Sequence, residues 1–385
     1  MTKANSLRGG DRILLMTVIV TAGLCGTAIL PACQIADPKP RHTQQPVQPS
    51  TPLTSVRDSA APAQASQAVE APVLSGTDVS NSREKAIGII EAYAKSLDAQ
   101  QRANAVELAG ISPKRLHSVI QGGLLDTNPG VRSVALVTAG RGKMQEFREL
   151  VRPLSRDTNG QVRASAIYAM QRFGDSPDQT PLAALLLTDD SPWVNRHAAF
   201  ILGELGNPSA LPLLQSASAT RVSQVPPAQQ RVFQVQLTEA MVKVGAEDQR
   251  AALIAALYPT QGEDIEVSML AVQAIAETGD KTAIAQLIGL AQYKDRQGHP
   301  YPAELRLAVA STLGRLGMDS GIPVARDGLT SQDEAIRAQA AHALGHIGAG
   351  SNRGQALVGM VAPLLDDPSD LVKLAASGAV LRCTK

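Results

Sequence analysis

Small aliphatic residues return along this chain at helical spacing, and the segments that carry them resemble one another. Residues 341–348 read AHALGHIG; altered spellings stand at 199–206 (AFILGELG), 271–279 (AVQAIAETG) and 310–317 (ASTLGRLG). Aligned on an apolar residue, then Arg, then Ala, then a small-Leu-Gly ending, nine segments register. They start at Gln101, Val131, Val162, Val194, Phe233, Val267, Leu305, Ile336 and Val372, with spacings of 30 to 39 residues. Self-similarity at that period marks a stack of small helical units, none of which buries its apolar face alone. Positions four, seven, eight and eleven after each start share one helix face and predict the core, whereas six and ten fall on the opposite, ligand-accessible side.

Each unit is predicted to hold a first helix, such as ALPLLQSA (210–217) or ALVGMVAPLLDD (356–367), and a second one carrying the repeated signature. An opening helix is predicted over about Arg83 to Leu97, where Ile87, Ile90, Ala94 and Leu97 share a face. Gly174, Gly206, Gly279, Gly317 and Gly348 are predicted to end helices, and Asn128-Pro129, Ser191-Pro192 and Asp367-Pro368 to begin them as cap plus first-turn proline. The expected fold is all-α: a right-handed α-solenoid of about eight to nine helical hairpins, piled into one curved rod and preceded by a disordered linker. Composition agrees, because 44% of residues are hydrophobic but only 3% aromatic. That is a diet for closely packed Ala- and Leu-rich helices.

The signature resembles the HEAT-like repeat of phycobilisome lyases: Asp, a short turn, Val-Arg, two alanines, Ala-Leu-Gly and a closing Leu-Gly. The matching residues are Asp126 with Val131 and Arg132, Asp157 with Val162 and Arg163, and Asp189 with Val194. In the eighth unit they are Ile336, Arg337, Ala340, Ala341, Ala343, Leu344, Gly345 and Gly348. The resemblance implies that the second helices line the concave side and that Asp and Arg form a ladder between successive units. It also implies an alternative function, an enzyme or cofactor handler of the bilin-lyase kind using the concave groove.

On the predicted inner rows, Tyr168 and Phe200 stand in adjacent units beside Arg141, Arg172 and Glu204. Aromatic and Arg side chains dominate protein interfaces, so this patch is the candidate site for a protein or peptide partner. His342 and His346 are four apart on one helix, a spacing at which two imidazoles can share a metal. No Glu follows His342 as in a metalloprotease, and further ligands are lacking, so the pair is a weak metal candidate. Cys383 falls where the register wants a small apolar residue. No nucleophile elbow, P-loop, CxxC or paired-carboxylate motif occurs in a supporting context, so no catalytic residue and no cofactor is assigned. Two inserts, 218–230 and 292–303, lengthen the joins after the fourth and sixth units and predict surface loops.

The amino terminus changes the setting. Lys3, Arg8 and Arg12 precede the apolar run Ile13 to Leu30, the pattern of an export signal. Leu30-Pro31-Ala32-Cys33 resembles a bacterial lipobox, which makes Cys33 the lipid-attachment residue of a membrane-anchored lipoprotein with its body outside the cytoplasm. Pro31 departs from the usual residue, and an uncleaved membrane helix or plain secretion remain open. Residues 1–32 are thus assigned to the signal or anchor, 33–80 to a Pro-, Gln-, Ser- and Ala-rich disordered tether, and 81–385 to the repeats. The first 82 residues hold 6 of the 36 basic and 5 of the 35 acidic residues, so the repeat body is neutral. A neutral body excludes a sequence-independent grip on nucleic acid. The reading as a whole is a non-catalytic protein-interaction scaffold of the bacterial cell envelope.

Overall fold

A computed structural model describes residues 74–220, 227–258, 265–294, 298–349 and 351–385. The signal, Cys33 and all but the end of the tether lie outside the described residues. Those described belong to one compact unit built from eighteen α-helices. No strand occurs among them beyond an isolated bridge between Lys294 and Pro300.

The helices alternate as first and second members of nine hairpins. The first members are α1 (Gly76–Tyr93), α3 (His117–Leu124), α5 (Arg148–Val151), α7 (Thr180–Leu187), α9 (Leu211–Thr220), α11 (Arg250–Ala255), α13 (Ile284–Gln292), α15 (Ile322–Gly328) and α17 (Gly354–Val361). The second members are α2 (Ala99–Ala109), α4 (Pro129–Arg141), α6 (Gly160–Arg172), α8 (Pro192–Leu205), α10 (Pro227–Lys243), α12 (Ile265–Thr278), α14 (Ala303–Arg315), α16 (Glu334–Ala349) and α18 (Asp370–Cys383). They coincide with the nine registrations. The opening helix begins seven residues earlier than the pattern predicts, because Ser75 and Asp78 form a reciprocal capping box that starts α1 within the segment assigned to the tether.

Each second helix packs on the next along the chain. The register explains how closely. In α16, Ala340, Ala343, Leu344 and Ile347, the predicted core positions, are all fully buried. Gly345 lies against the backbone of α18, where a Cβ would stand 2.6 Å from Ala379 Cα, so only glycine lets these helices meet. Gly174, Gly206, Gly279 and Gly317 have positive φ and end their helices as predicted. Gly348 does not: it lies inside α16, and its missing side chain makes room for Cys383 Sγ. Asn128 caps α4 by accepting from Gly130 N at 2.8 Å, with Pro129 in the first turn. Asp367 begins no helix; it follows the 3-10 helix Ala362–Asp366 as its C-cap. It accepts from the backbone N–H of Ser369, the N-cap residue that precedes α18.

The Asp–Arg ladder is present, and its geometry shows why the two residue types recur. Arg102 grips Asp126 through Nε at 2.7 Å and Nη2 at 2.9 Å, while its Nη1 donates to the carbonyls of Ser96 and Leu97. Arg337 repeats this on Asp367, Ser331 and Gln332, and Arg132 on Asp157, Asp126 and Thr127. Each Asp also accepts from a backbone N–H two residues on, at 2.8 Å for Asn128 and Asn159 and 2.9 Å for Ser369. One guanidinium thus ties the turn of its own unit to the turn of the next with charge-assisted bonds. In the fourth unit Asn195 takes the Arg place and still reaches two carbonyls, those of Leu185 and Asp189.

The row does not stay an open rod. The last helix, α18, packs on α1 and α2, so the ninth unit meets the first. Gly378 faces Leu108; Arg83 donates to the Thr384 carbonyl at 2.6 Å, Lys85 pairs with Asp366 at 2.5 Å, and Tyr93 bonds Asp370. The concave side is therefore enclosed, with the second helices as its inner wall.

Candidate functional site

The inner wall surrounds a cavity of about 500 Å³. Its polar lining comes mostly from the two predicted rows seen from inside, with Gln273, Ser311 and His342 from position six and Arg141, Glu204, Glu277, Arg315, His346 and Arg382 from position ten, while Met269, Val272, Ala276, Ala308 and Thr312 complete it from other positions. Glu107 joins them. It is position six of the first unit, whose polar start, Gln101, departs from the apolar starts of the other units. Ends of helices that point inward in a closed row bring charges from distant units into one space.

Half of the wall is a connected ion network. Lys243 Nζ lies 2.8 Å from Glu204 Oε1 and 2.6 Å from Glu239 Oε1; Arg141 reaches Glu204 Oε2 at 3.0 Å, and Arg315 reaches Glu277 Oε1 at 2.6 Å. Arg141 and Lys243 each stand 4.0 Å from Glu277 Oε2. Burial alone would push the Glu277 carboxyl up, but Arg315, Lys243 and Arg141 overcome it and hold the group at about 2. Burial likewise opposes the charges of Lys243 and Arg141, and the surrounding carboxylates outweigh it, raising both.

The other half is built from the first, eighth and ninth units and is not paired. Burial, opposed only by Arg141 and Arg382 at a distance, pushes Glu107 up to about 7, and its Oε2 has no hydrogen-bond partner in the protein. Arg382 forms no ion pair among the described residues; its Nη1 is buried without a partner, and burial, opposed by the charge of Glu107 at a distance and reinforced by Arg315, brings it down to about 10. His342 and His346 meet edge to face at 4.6 Å. Burial, with Arg382 and Arg315 adding to it, lowers His342 to about 3 and His346 well below the usual range, so both rings are neutral. No group of three or more His, Cys, Asp or Glu placed to hold a metal occurs among the described residues.

The predicted partner patch is rearranged. Tyr168 does not offer its ring to a ligand: it is buried between layers, where Gly140 of the preceding unit clears the space for it. Phe200 is half-buried under two cations, the Arg141 guanidinium at 5.8 Å and Lys243 Nζ at 5.7 Å from its centroid. Arg141 and Glu204 are bonded to each other, and Arg172 is exposed. The patch is thus partly seam and partly ion network. Cys383 is a buried free thiol, pushed up to about 12 by burial, as its register position suggests.

A buried polar chain escaped the sequence reading. Ser165 Oγ lies 2.7 Å from His197 Nε2 and 2.8 Å from Ser133 Oγ, all three within the α4, α6 and α8 layer. A hydroxyl beside an imidazole has the form of a nucleophile and base. Here it is sealed between helices with no space beside it for a substrate, and burial lowers His197 to about 4.

The outside has its own pattern. Among the described residues the exposed large apolar side chains are Leu97, Leu125, Trp193, Tyr258 and Tyr293. Every one lies in the join from a first to a second helix, or in the first turn after it. Both inserts occupy the same kind of join. The first is partly helical at both ends, in α9 and α10, and in the second Tyr293 stacks on Tyr301 at 4.6 Å beside the Lys294–Pro300 bridge.

The fold is an α-solenoid of helical hairpins, and two of its segments match HEAT-repeat family models. Residues 299–380 match the HEAT repeats family and residues 194–220 the PBS lyase HEAT-like repeat family. Among solved structures, human deoxyhypusine hydroxylase is similar over 80% of this chain and 99% of its own, at 16% identity and a TM-score of 0.33. The complex of CpcE and CpcF of phycocyanin lyase from Nostoc sp. is similar over 74% and 98%, at 16% identity and a TM-score of 0.39. A designed armadillo repeat protein is similar over 70% and 99%, at 17% identity and a TM-score of 0.29. No curated protein matches the chain in sequence.

Proposed function

We propose that this protein is a non-catalytic scaffold of the bacterial cell envelope, held to a membrane by its amino terminus and binding a protein partner through the edge formed by its first-to-second helix joins. The observation that carries the binding surface is the confinement of Leu97, Leu125, Trp193, Tyr258 and Tyr293 to those joins. In a solenoid all such joins fall on one edge, and exposed aromatics gathered there fit the anchors that protein interfaces use. With the concave side enclosed, the outer edge is the surface open to a protein partner in this reading, in place of the inner patch of Arg141, Tyr168, Arg172, Phe200 and Glu204.

The membrane tether rests on the basic flank, the apolar run and Cys33 in the sequence. No helix among the described residues is long and apolar enough to cross a membrane, so attachment falls to that leader. The rival, a bilin-lyase-like enzyme or cofactor handler, draws on the central cavity. The enclosure of that cavity supports it; the hydroxyl–imidazole pair of Ser165 and His197 is not among the residues that line the space.

Cross-linking of the full chain in bacterial membranes, then capture and identification of the linked chains, tests the reading. The combined variant Trp193→Ser, Tyr258→Ser, Tyr293→Ser is expected to lose the partner, and Cys33→Ala to shift the chain from the membrane to the soluble fraction. Undiminished capture by the triple variant refutes the edge, and unchanged fractionation of Cys33→Ala refutes lipid attachment.

A further inference from the structure

The two halves of the cavity wall differ in what they leave undone. Around Glu204, Glu239 and Glu277, three cations stand within 4.0 Å and the charges balance. Around Arg382 no carboxylate stands within ion-pair distance among the described residues, and Nη1 is buried with no acceptor. A buried guanidinium is costly without an anion, and it presents planar donors suited to a carboxylate or a phosphate. The other groups on this side are donors or can become so: Arg315, whose Nη1 alone is bonded to Glu277, the two imidazoles, and the Ser311 hydroxyl. Glu107, the one carboxyl here, has its own unpartnered oxygen. Ionised, it gives Arg382 a counter-charge only at a distance, without an ion-pair contact; protonated, it offers a hydrogen to an acceptor. The cavity, about 500 Å³, is of the size that small-molecule sites have.

We propose that this end of the cavity binds a small oxyanion, a carboxylate or a phosphate, held by Arg382 with Arg315, His342 and His346. Arg382 supplies the paired charge and the imidazoles supply hydrogen bonds at neutral pH through whichever nitrogen carries the proton. The ion network on the opposite wall, already neutral within itself, fixes the shape of the chamber. The site is independent of the outer edge, so loss of either leaves the other intact.

Titration calorimetry on the full chain in detergent tests it, with inorganic phosphate and separately succinate as probes at an ionic strength fixed by chloride. One saturable site is expected for at least one probe. Phosphate alone assigns a phosphoryl ligand, succinate alone a carboxylate, and both together a site selective for charge; no saturable heat with either overturns the proposal. Arg382→Gln is expected to weaken binding by about ten- to a hundredfold, the worth of a charge-assisted hydrogen bond, and Arg382→Lys by less. Binding by Arg382→Gln as tight as by the unaltered chain overturns it. Should the Arg382 variants not fold, the imidazole nitrogen resonances of the unaltered chain decide: His342 and His346 shift on adding the bound probe while the surface His117 stays, and unmoved His342 and His346 signals overturn the proposal.

Discussion

Glu277 and Glu107 line the same cavity at the same end of equivalent helices, yet one is held at about 2 and the other stands at about 7. The difference lies in which units surround them. Glu277 belongs to the sixth unit, and its partners Arg315, Lys243 and Arg141 come from the seventh, fifth and second units, close along or across the inner wall. Glu107 belongs to the first unit; Arg141 of the second unit and Arg382 of the ninth act on it only from a distance, and Arg382 is near it because the row closes. Burial acts on both carboxyls; a cation in contact outweighs it at Glu277, and cations at a distance do not outweigh it at Glu107. Mid-chain charges are settled by their own repeats, and those at the junction of the chain ends are left with unspent bonding capacity.

Substitutions can break or sharpen that contrast. The largest effect is expected at Lys243, which serves Glu204 and Glu239 at once. Lys243→Ala leaves two buried carboxylates short of a cation and is expected to destabilise the fold by about 3–5 kcal/mol in denaturant titration at pH 7. A loss below about 1 kcal/mol would show that the network is solvated after all.

Next comes Glu277→Gln, expected to lose about 1–3 kcal/mol at pH 7. Because the carboxyl is lowered from 4.5 to about 2 in the folded state, its stabilisation is complete above pH 4.5 and fades as pH falls toward 2. The variant and the unaltered chain should therefore converge in acid.

Glu107→Gln is expected to have the opposite sign. Its carboxyl is raised in the folded state, so stability falls as pH climbs from 4.5 through about 7. Removing the ionisation is expected to stabilise the fold by about 1 kcal/mol at pH 8 and to change nothing below pH 4.5. Destabilisation at pH 8 would mean that Glu107 is compensated like Glu277. The smallest effect is expected for His346→Gln, a neutral ring exchanged for a neutral amide at the cavity wall, below about 0.5 kcal/mol in the same titration.

Much of the architecture was legible from local spacing. The nine starts mark nine second helices, the burial of Ala340, Ala343, Leu344 and Ile347 follows from the register, and the inward rows contain nearly every charged residue of the cavity. The misses share one cause. Tyr168 stands on an inward row, but a glycine 28 positions earlier, in the preceding layer, gives it a pocket. Gly348 resembles a helix end in its Leu-Gly-like setting, but α18 needs the room it leaves for Cys383. Both outcomes turn on a neighbour remote in sequence. The early start of α1 is different, since the capping box of Ser75 and Asp78 was written locally and was masked by the polar composition around it.

The sequence by itself determined the period, the helical class, the number of units and the face each second helix turns inward. All of these follow from the 3.6-residue turn and from caps acting within a few residues. Only the tertiary structure decided that the ends meet, that the concave side is enclosed, and which charges find partners. Closure sums small rotations over nine units, and ion pairs form between side chains tens of residues apart. Neither quantity is carried by any one repeat.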